Sequence, residues 1–172
     1  MSLFAADLPD PNGFELSVTR EIAAPRDLIF RLWTDPARID VDAVHDFLAN
    51  QSYWARGMPR AQLERGLAHS LLIGIYSPDG TMAAFARVLT DYAVFAYLRD
   101  VFTQPAHRGR GLASWLAAEI RNHPDLATVG TWTLATADAH AVYERAGYRR
   151  PPDPERFMTW TRPRDAAPPE KD

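Results

Sequence analysis

The sequence of 172 residues contains no cysteine. Without a thiol the chain can form no disulfide, use no cysteine nucleophile and build no cysteine-ligated zinc site. This absence fits a reducing compartment, and we expect a cytoplasmic protein. The histidines show no metal-ligand spacing, so we expect no metal centre; they are His45, His69, His107, His123 and His140.

Long apolar runs and an excess of positive charge are missing as well. The longest apolar runs, such as residues 70–76, are far too short to span a bilayer. The N-terminus lacks the basic and apolar regions of a signal peptide. A net charge of −3 provides no positive field that would hold a nucleic-acid backbone. We therefore expect neither a membrane nor a nucleic acid as partner.

The remaining composition is that of a globular protein, with 47% hydrophobic and 24% charged residues. The length fits one domain with an appendage. Changes in texture divide the chain into an N-terminal arm (residues 1–38), an α/β domain (residues 39–162) and a tail (residues 163–172). The tail is rich in proline and charge, and we expect it to be disordered.

The arm combines a strand pattern with a helix pattern. Residues 15–22 alternate apolar and polar side chains, which predicts a strand. Pro25 stands where a first helical turn would start, and apolar residues follow at helical spacing, namely Leu28, Ile29, Leu32 and Trp33. Residues 14–38 resemble the opening strand and helix of the SRPBCC helix-grip family, in the branch of the Hsp90-ATPase activators. Later residues do not supply the rest of that fold, so we expect an arm packed on the main domain or, alternatively, a dimerisation or lid element.

The main domain mixes helix and strand signals. Helices are predicted over residues 42–48, 60–69, 112–122 and 139–145. Strands are predicted over residues 70–76, 81–90, 95–103, 131–136 and 156–161. Pro78 and Gly80 indicate a turn between the first two strands, which makes them a hairpin. This order predicts an α/β fold.

A glycine-rich segment, TQPAHRGRGLAS, joins the strand over residues 95–103 to the next helix. The first N–H groups of a helix have no internal partner, and the helix dipole makes that end attractive to anions. Gly109 and Gly111 let the backbone approach a bulky phosphate group, and Arg108 and Arg110 add charge. The Gly-Lys-Ser/Thr of a P-loop is missing, and Ser114 replaces the third glycine of a dinucleotide fingerprint. A glycine-rich turn on a surface arginine patch and an RGG-type RNA contact are the alternatives.

A second motif, TLATADAHAVYERAGYRR, follows the strand over residues 131–136. Ala139 and Tyr143 are four residues apart and share a helix face, where a small residue leaves room for a ligand beside the hydroxyl. Gly147 is placed to end the helix as a left-handed cap. Tyr143 alone could equally be an aromatic residue that packs the helix.

Together the two motifs resemble the signatures of the GNAT acetyltransferases, and the resemblance covers roughly residues 39–162. The pyrophosphate loop of that family, Gln/Arg-x-x-Gly-x-Gly/Ala, is matched by Arg108, Gly111 and Ala113. The family's Ala-x-x-x-Tyr-x-x-x-Gly-Phe motif is matched from Ala139 onward, with Tyr148 in place of the phenylalanine. The resemblance implies an acyl-CoA N-acyltransferase fold, with a mixed central sheet, splayed strands and flanking helices.

The implied function is N-acetyl transfer from acetyl-CoA to a primary amine of a small molecule, peptide or protein, by direct attack. Acetyl-CoA would lie between the strands over residues 95–103 and 131–136, where a bulge in the first strand frees a backbone N–H for the thioester carbonyl. The implied donor-binding residues are Val101, Phe102, Thr103, Arg108, Gly109, Arg110, Gly111, Leu112, Ala113, Ser114 and Ala139. The alternative is a module that binds or senses acyl-CoA without turnover.

The resemblance also assigns chemistry on the acceptor side. Tyr143 would stabilise the departing sulfur, and Asp100 would act as a base, directly or through water. Alternatively, Asp100 is salt-bridged to Arg99 or another arginine, or it orients the substrate. Candidate acceptor-binding residues are Tyr53, Trp54, Asp91, Tyr97 and His140, with packing in the core as the other interpretation of the aromatic ones. The oligomeric state is left open, a homodimer included.

Overall fold

A computed structural model describes residues 15–17 and 30–161 of the chain. The tail over residues 163–172 and most of the arm, including Leu28 and Ile29, lie outside the described residues. The strands are β1 (Glu15–Ser17), β2 (Arg31–Trp33), β3 (Leu71–Tyr76), β4 (Met82–Thr90), β5 (Phe95–Thr103) and β6 (Thr131–Thr133). The α-helices are α1 (Val41–Asp46), α2 (Arg60–Ala68), α3 (Leu112–Glu119) and α4 (His140–Arg145), and a π-helical segment, Phe47–Gln51, extends α1.

The six strands form one sheet in the order in which they occur along the chain. Neighbours from β1 to β5 run antiparallel, whereas β6 joins β5 in parallel. A parallel partner requires a crossover, and the connection from β5 to β6 contains α3, as in a βαβ unit. The predicted α/β class with a mixed sheet is confirmed.

The helix predicted across residues 28–33 is wrong where the structure describes it, because residues 31–33 form strand β2. This strand pairs with β3, with Arg31 opposite Tyr76. Phe30 and Leu32, two residues apart, are 3% and 2% exposed and belong to the main core. Side chains on one face of a strand recur every two residues, as Phe30 and Leu32 do. Pairing with β3 therefore overrides the helical spacing of the apolar residues in the sequence.

The last predicted strand, over residues 156–161, is also wrong. A short 3-10 turn over Pro154–Arg156 is followed by backbone without regular structure. Met158 is 96% exposed, so this segment presents its apolar side chains to solvent. Composition alone favours a strand here, but a strand forms only with a hydrogen-bonded neighbour. The strand predicted over residues 131–136 is shorter than expected, because pairing with β5 ends at Thr133.

Two apolar clusters, one including α3 and the other α1 and α2, bury the strands of the sheet. In the first cluster, α3 presents the predicted apolar face, with Leu112, Trp115, Leu116 and Ile120 all buried. In the second cluster, α1 contributes Val44 and α2 contributes Leu63 and Leu67. Helices therefore pack on both faces of the sheet, and the candidate site lies along β5.

Candidate active site

A cleft opens where β5 and β6 diverge. The two strands pair only through Phe95–Tyr97 and Thr131–Thr133, and beyond these residues they separate. The resulting cavity has a volume of about 450 Å³. Its lining comprises Tyr53, Trp54, Tyr97, Leu98, Arg99, Asp100, Val101, Ala135, Thr136, Ala137, Asp138, Ala139 and Tyr143. Seven of the sequence-predicted site residues are among them, namely Tyr53, Trp54, Tyr97, Asp100, Val101, Ala139 and Tyr143.

The bulge expected in β5 is present at the edge of this cleft. Asp100 and Val101 together stand opposite the single residue Ala86 of β4, because the register shifts between Phe85 and Arg87. Asp100 has a φ of 52°, in the left-handed region that non-glycine residues rarely adopt. A bulge leaves backbone groups without a ladder partner and redirects the strand. The assignment of a carbonyl-binding N–H to Val101, Phe102 or Thr103 stays a prediction.

The side chains next to the bulge point in different directions. Val101 lines the cavity. Phe102 instead enters the second core cluster, where its ring stacks on Phe47 with 4.0 Å between centroids. Only the backbone of Phe102 could therefore contact a ligand in the cleft.

Asp100 is buried and fully engaged. Only 4% of the residue is exposed, and its Oδ2 accepts a hydrogen bond from Arg87 Nε at 2.5 Å. Its Oδ1 accepts from Trp54 Nε1 at 3.1 Å and lies 3.6 Å from Arg99 Nε. This is the ion-paired arrangement that the sequence left open beside the role of a base, with Arg87 as the closer partner.

Tyr143 projects from α4 into the cleft. The helix begins after Ala139, whose N–H donates a hydrogen bond to Thr136 Oγ1 at 3.0 Å. The small side chain of Ala139 leaves the space beside the tyrosine open. Burial raises the pKa of Tyr143 to about 12, and the nearby Tyr148 adds to this rise. The hydroxyl is therefore protonated at neutral pH and available as a hydrogen-bond donor.

The glycine-rich loop has the backbone conformation that its sequence suggests. Gly109 and Gly111 both have a φ of 75°, and Gly111 is the N-cap of α3. A Cβ added at either glycine would meet nothing within 4 Å, so open space lies beside both. The helical ladder starts with Trp115 N–H donating to Gly111 O, which leaves the preceding N–H groups of the first turn for a ligand.

The side chains around this loop take different positions. Arg108 folds back along β5, where its Nε donates to Thr103 O at 3.3 Å. Leu112 is buried in the core, so its backbone alone could contact a ligand. Ser114 donates to Val142 O at 3.4 Å and so links the start of α3 to α4. The loop residues do not line the cavity itself.

The segment over residues 52–59, between the π-helical turn and α2, forms the acceptor-side wall of the cleft. Tyr53 and Trp54 lie on this segment, and their rings meet edge to face with 5.0 Å between centroids. The Tyr53 hydroxyl accepts a hydrogen bond from Ala137 N–H at 3.2 Å and donates to Asp138 Oδ1 at 3.5 Å. Tyr53 therefore bridges from this segment to the turn that precedes α4.

Two predicted acceptor residues lie away from the cavity lining. The Asp91 carboxylate accepts hydrogen bonds from the backbone N–H groups of Ala93, Val94 and Phe95, which shape the connection from β4 to β5. The same hydrogen bonds lower the pKa of Asp91. His140 is exposed at the start of α4 and is not part of the lining.

Sequence reasoning missed two charged residues of the site. Arg87 is 8% exposed in β4, and its position in the run MAAFARVLT was the available signal, since a charge in an apolar strand requires a partner. Asp138 is exposed and lines the cleft near Tyr143. Only its place in the turn before α4 could have pointed to it.

Comparisons with known proteins agree with this architecture. A family model described as the acetyltransferase (GNAT) domain matches residues 69–150. The crystal structure of a GNAT-family candidate acetyltransferase from Xanthomonas campestris pv. campestris is 41% identical, with a TM-score of 0.73 over 78% of this chain and 94% of that one. The chain belongs to the GNAT acetyltransferase family.

Two other similar proteins are more distant. A candidate acetyltransferase of Gibberella zeae is 31% identical over 101 residues, which are 48% of this chain, and the match spans 57% of that protein's length. A candidate acetyltransferase of Clostridium acetobutylicum, solved with acetyl-CoA, shares the fold with 15% identity and a TM-score of 0.56 over 78% of this chain and 96% of that one.

Membrane and metal features can be assessed for the described ranges. Over residues 15–17 and 30–161, no helix is both long and apolar enough to cross a membrane. Within the same ranges, no three His, Asp or Glu side chains gather into a group that could hold a metal ion.

Proposed function

We propose that this GNAT protein transfers an acetyl group from acetyl-CoA to a primary amine of a small molecule or a peptide or protein. The observation that carries the proposal is the cleft between β5 and β6, with a backbone bulge on one wall and the Tyr143 hydroxyl on the other. Acyl transfer to an amine needs a polarised carbonyl and a stabilised leaving group, and these two features could supply both.

The residues at the start of α3 fit the diphosphate of acetyl-CoA. Gly109 and Gly111 leave the loop open to close approach, and the N–H groups of the first helical turn would bind the phosphate oxygens. Arg108 and Arg110 add positive charge to the same loop. Ala139 leaves space beside Tyr143, which suits a thin chain such as the pantetheine arm. Acetyl-CoA supplies the acetyl group as a thioester, and the chain itself provides binding and orientation.

The protein groups would act directly on the reacting atoms. A backbone N–H at or after Val101 would donate to the thioester oxygen, on which negative charge grows as the amine attacks. The new bond joins the amine nitrogen to the carbonyl carbon, and the bond from that carbon to sulfur breaks. The nitrogen then loses its extra proton to solvent, and the CoA thiolate takes up a proton from solvent. Tyr143 would donate a hydrogen bond to the departing sulfur, and its pKa of about 12 keeps the hydroxyl protonated for this task.

The acceptor would enter between the aromatic side chains and Asp138. Tyr53, Trp54 and Tyr97 give this part of the cleft faces that attract cations. An alkylamine is mostly protonated at neutral pH, since its pKa is about 10.4, and it must lose a proton before it attacks. Asp100 is engaged by Arg87 and Trp54, so the exposed Asp138 is the carboxylate better placed to receive that proton through water.

The test is a screen of primary amines with acetyl-CoA, in which a thiol reagent follows the release of CoA. The chain has no cysteine, so the protein adds no background to this assay. We expect amine-dependent thiol release and an N-acetylated product in mass spectrometry. Acetyl-CoA binding without thiol release for any amine would instead identify a module that senses acyl-CoA.

A further inference from the structure

The pair formed by Arg87 and Asp100 crosses from one strand to the next inside the protein. Arg87 lies on β4 and Asp100 on β5, and they are 8% and 4% exposed. Their hydrogen bond, at 2.5 Å between Nε and Oδ2, joins two opposite charges away from solvent. A buried charge requires such a partner, so each side chain constrains the place of the other.

The guanidinium of Arg87 is held from its other side as well. Its Nη1 donates to Ser70 Oγ at 3.2 Å, and Ser70 Oγ in turn donates to Gly66 O at 2.7 Å. Gly66 lies within α2, where glycine is unfavourable. A Cβ at this position would lie 2.9 Å from Arg87 Nη1, so the missing side chain makes room for the guanidinium.

The anchored carboxylate belongs to the residue whose backbone is unusual. Asp100 has a φ of 52° at the bulge of β5. A non-glycine residue keeps such a conformation only when its surroundings fix it. The fixed points here are Arg87 at Oδ2 and Trp54 at Oδ1. Trp54 belongs to the segment that covers the acceptor side of the cleft, so one carboxylate connects both sides of the site.

We propose that Arg87 and Asp100 are positioning residues for the acyl transfer, and the proposal rests on the function proposed above. The ion pair holds Asp100 in its left-handed conformation, which directs the following backbone N–H groups into the cleft. Through Trp54 the same carboxylate keeps the acceptor-side segment in place. Asp100 is then required for the shape of the bulge rather than for proton transfer.

Three substitutions of Asp100 separate the two roles. Asp100→Asn and Asp100→Gly remove the carboxylate but suit a positive φ, because asparagine and glycine tolerate the left-handed region. Asp100→Ala removes the carboxylate and also disfavours that backbone conformation. For each variant, kcat would be measured from pH 6 to 10, as would the affinities for acetyl-CoA and for CoA by calorimetry.

The positioning role predicts a graded result. Asp100→Asn, whose side-chain oxygen can still accept from Arg87 or Trp54, keeps kcat within about tenfold of the wild type and keeps its pH profile. Asp100→Gly permits the backbone conformation but loses both contacts, so its kcat falls by an intermediate amount. Asp100→Ala lowers kcat by about 10²-fold, the cost of misplacing a reacting group by about 1 Å. Because CoA has no thioester carbonyl, only Asp100→Ala should also lose any preference for acetyl-CoA over CoA. An equally large loss in all three variants, with a changed pH profile, would identify Asp100 as the base and overturn the proposal. A wild-type kcat in Asp100→Ala would overturn it as well.

Two precautions keep the result decisive. All three substitutions leave Arg87 without its carboxylate partner and could prevent folding, so each is also combined with Arg87→Met, which removes both charges together. If the wild type releases no CoA with any amine, the proposed function fails. The preference for acetyl-CoA over CoA still tests the positioning role in that case. Loss of this preference in the alanine variant alone supports the role. A wild type without the preference, or an alanine variant that keeps it, refutes the role.

Discussion

At the scale of single residues, the environment of Tyr143 limits what its hydroxyl can do. Its pKa is raised to about 12 by burial, whereas a free thiol has a pKa of about 8.5. Complete proton transfer from the tyrosine to a thiolate would therefore be uphill by about 5 kcal/mol. A hydrogen bond that strengthens as charge develops on sulfur has no such cost.

Tyr143→Phe should lower kcat by about 10²-fold, because that donor is lost during the chemical step. The acetyl-CoA dissociation constant should change little, since the phenylalanine ring still packs against Tyr148. Single-turnover kinetics under saturating acetyl-CoA would measure the chemical step. A wild-type rate under those conditions would leave Tyr143 as a packing residue.

Arg87 shows why the partner of Asp100 could not be identified from the sequence. The motifs around Gly111 and Tyr143 are local, so the sequence indicates them directly. The partner of Asp100 depends on the register between β4 and β5, which the bulge shifts by one residue. The sequence therefore left Arg99 and other arginines as equal candidates, and only the paired strands bring Arg87 to Asp100.

At the scale of elements, the start of α3 combines a required backbone conformation with an exposed binding surface. Gly111 caps this helix with a φ of 75°, and its surroundings leave room for a side chain. A substitution here strains the backbone and also fills the space that a phosphate would use.

Gly111→Glu should abolish acetyl-CoA binding, whereas Gly111→Gln, with equal size and equal backbone strain, should bind weakly. The difference arises from the negative charge placed against the diphosphate. Isothermal titration calorimetry with acetyl-CoA would measure both variants, and thermal unfolding would control for the strain that they share. Equal affinities of the two variants would exclude a phosphate at this loop.

Helix α2 offers a second test at the same scale. Gly66→Ala would normally stabilise a helix by about 1 kcal/mol. Here the new methyl group would displace Arg87 Nη1, so we expect no gain or a net loss in the free energy of unfolding. Gln62→Ala, at an exposed position of α2, is the matched control. Urea denaturation of both variants decides the matter, and a gain of about 1 kcal/mol for Gly66→Ala would show that the guanidinium is not confined by this helix.

The elements that the sequence predicted well are those whose local pattern agrees with their burial. The predicted apolar face of α3 is the face in the core, and β5 has the predicted bounds. The errors fall where tertiary pairing decides the outcome. The apolar residues around positions 31–33 fit the spacing of a helix and also that of a strand. Pairing with β3 makes residues 31–33 a strand. Residues 157–161 have a composition that favours a strand, yet they adopt no regular structure.

At the scale of the whole molecule, three buried or half-buried tyrosines link stability to pH. Burial raises the pKa values of Tyr76, Tyr143 and Tyr148 to about 12. An unfolded tyrosine ionises near pH 10, while these residues keep their protons in the folded state. Their contribution to stability is therefore complete below about pH 10 and decreases as the pH rises from about 10 towards 12.

We therefore expect the urea midpoint to be constant near pH 8–9 and to fall above about pH 10. Tyr148→Phe should make this fall less steep, because one of the three groups no longer titrates. Circular dichroism at a series of pH values would follow the transition, and tyrosinate absorbance would report ionisation. A midpoint that stays constant to about pH 11.5 would show that these hydroxyls ionise in the folded protein as they do in water.

The bridge made by Tyr53 has a consequence for the timing of catalysis. Its hydroxyl joins the acceptor-side segment to the turn before α4 through hydrogen bonds at exposed positions, for which water can compete. Opening this bridge frees only the Tyr53 edge of the segment, because Trp54 stays hydrogen-bonded to Asp100. The Tyr53 hydroxyl then affects the rates at which ligands enter and leave the cleft more than it affects their affinity. Removing the hydroxyl should shorten the lifetime of the bound state and speed its formation to a similar extent.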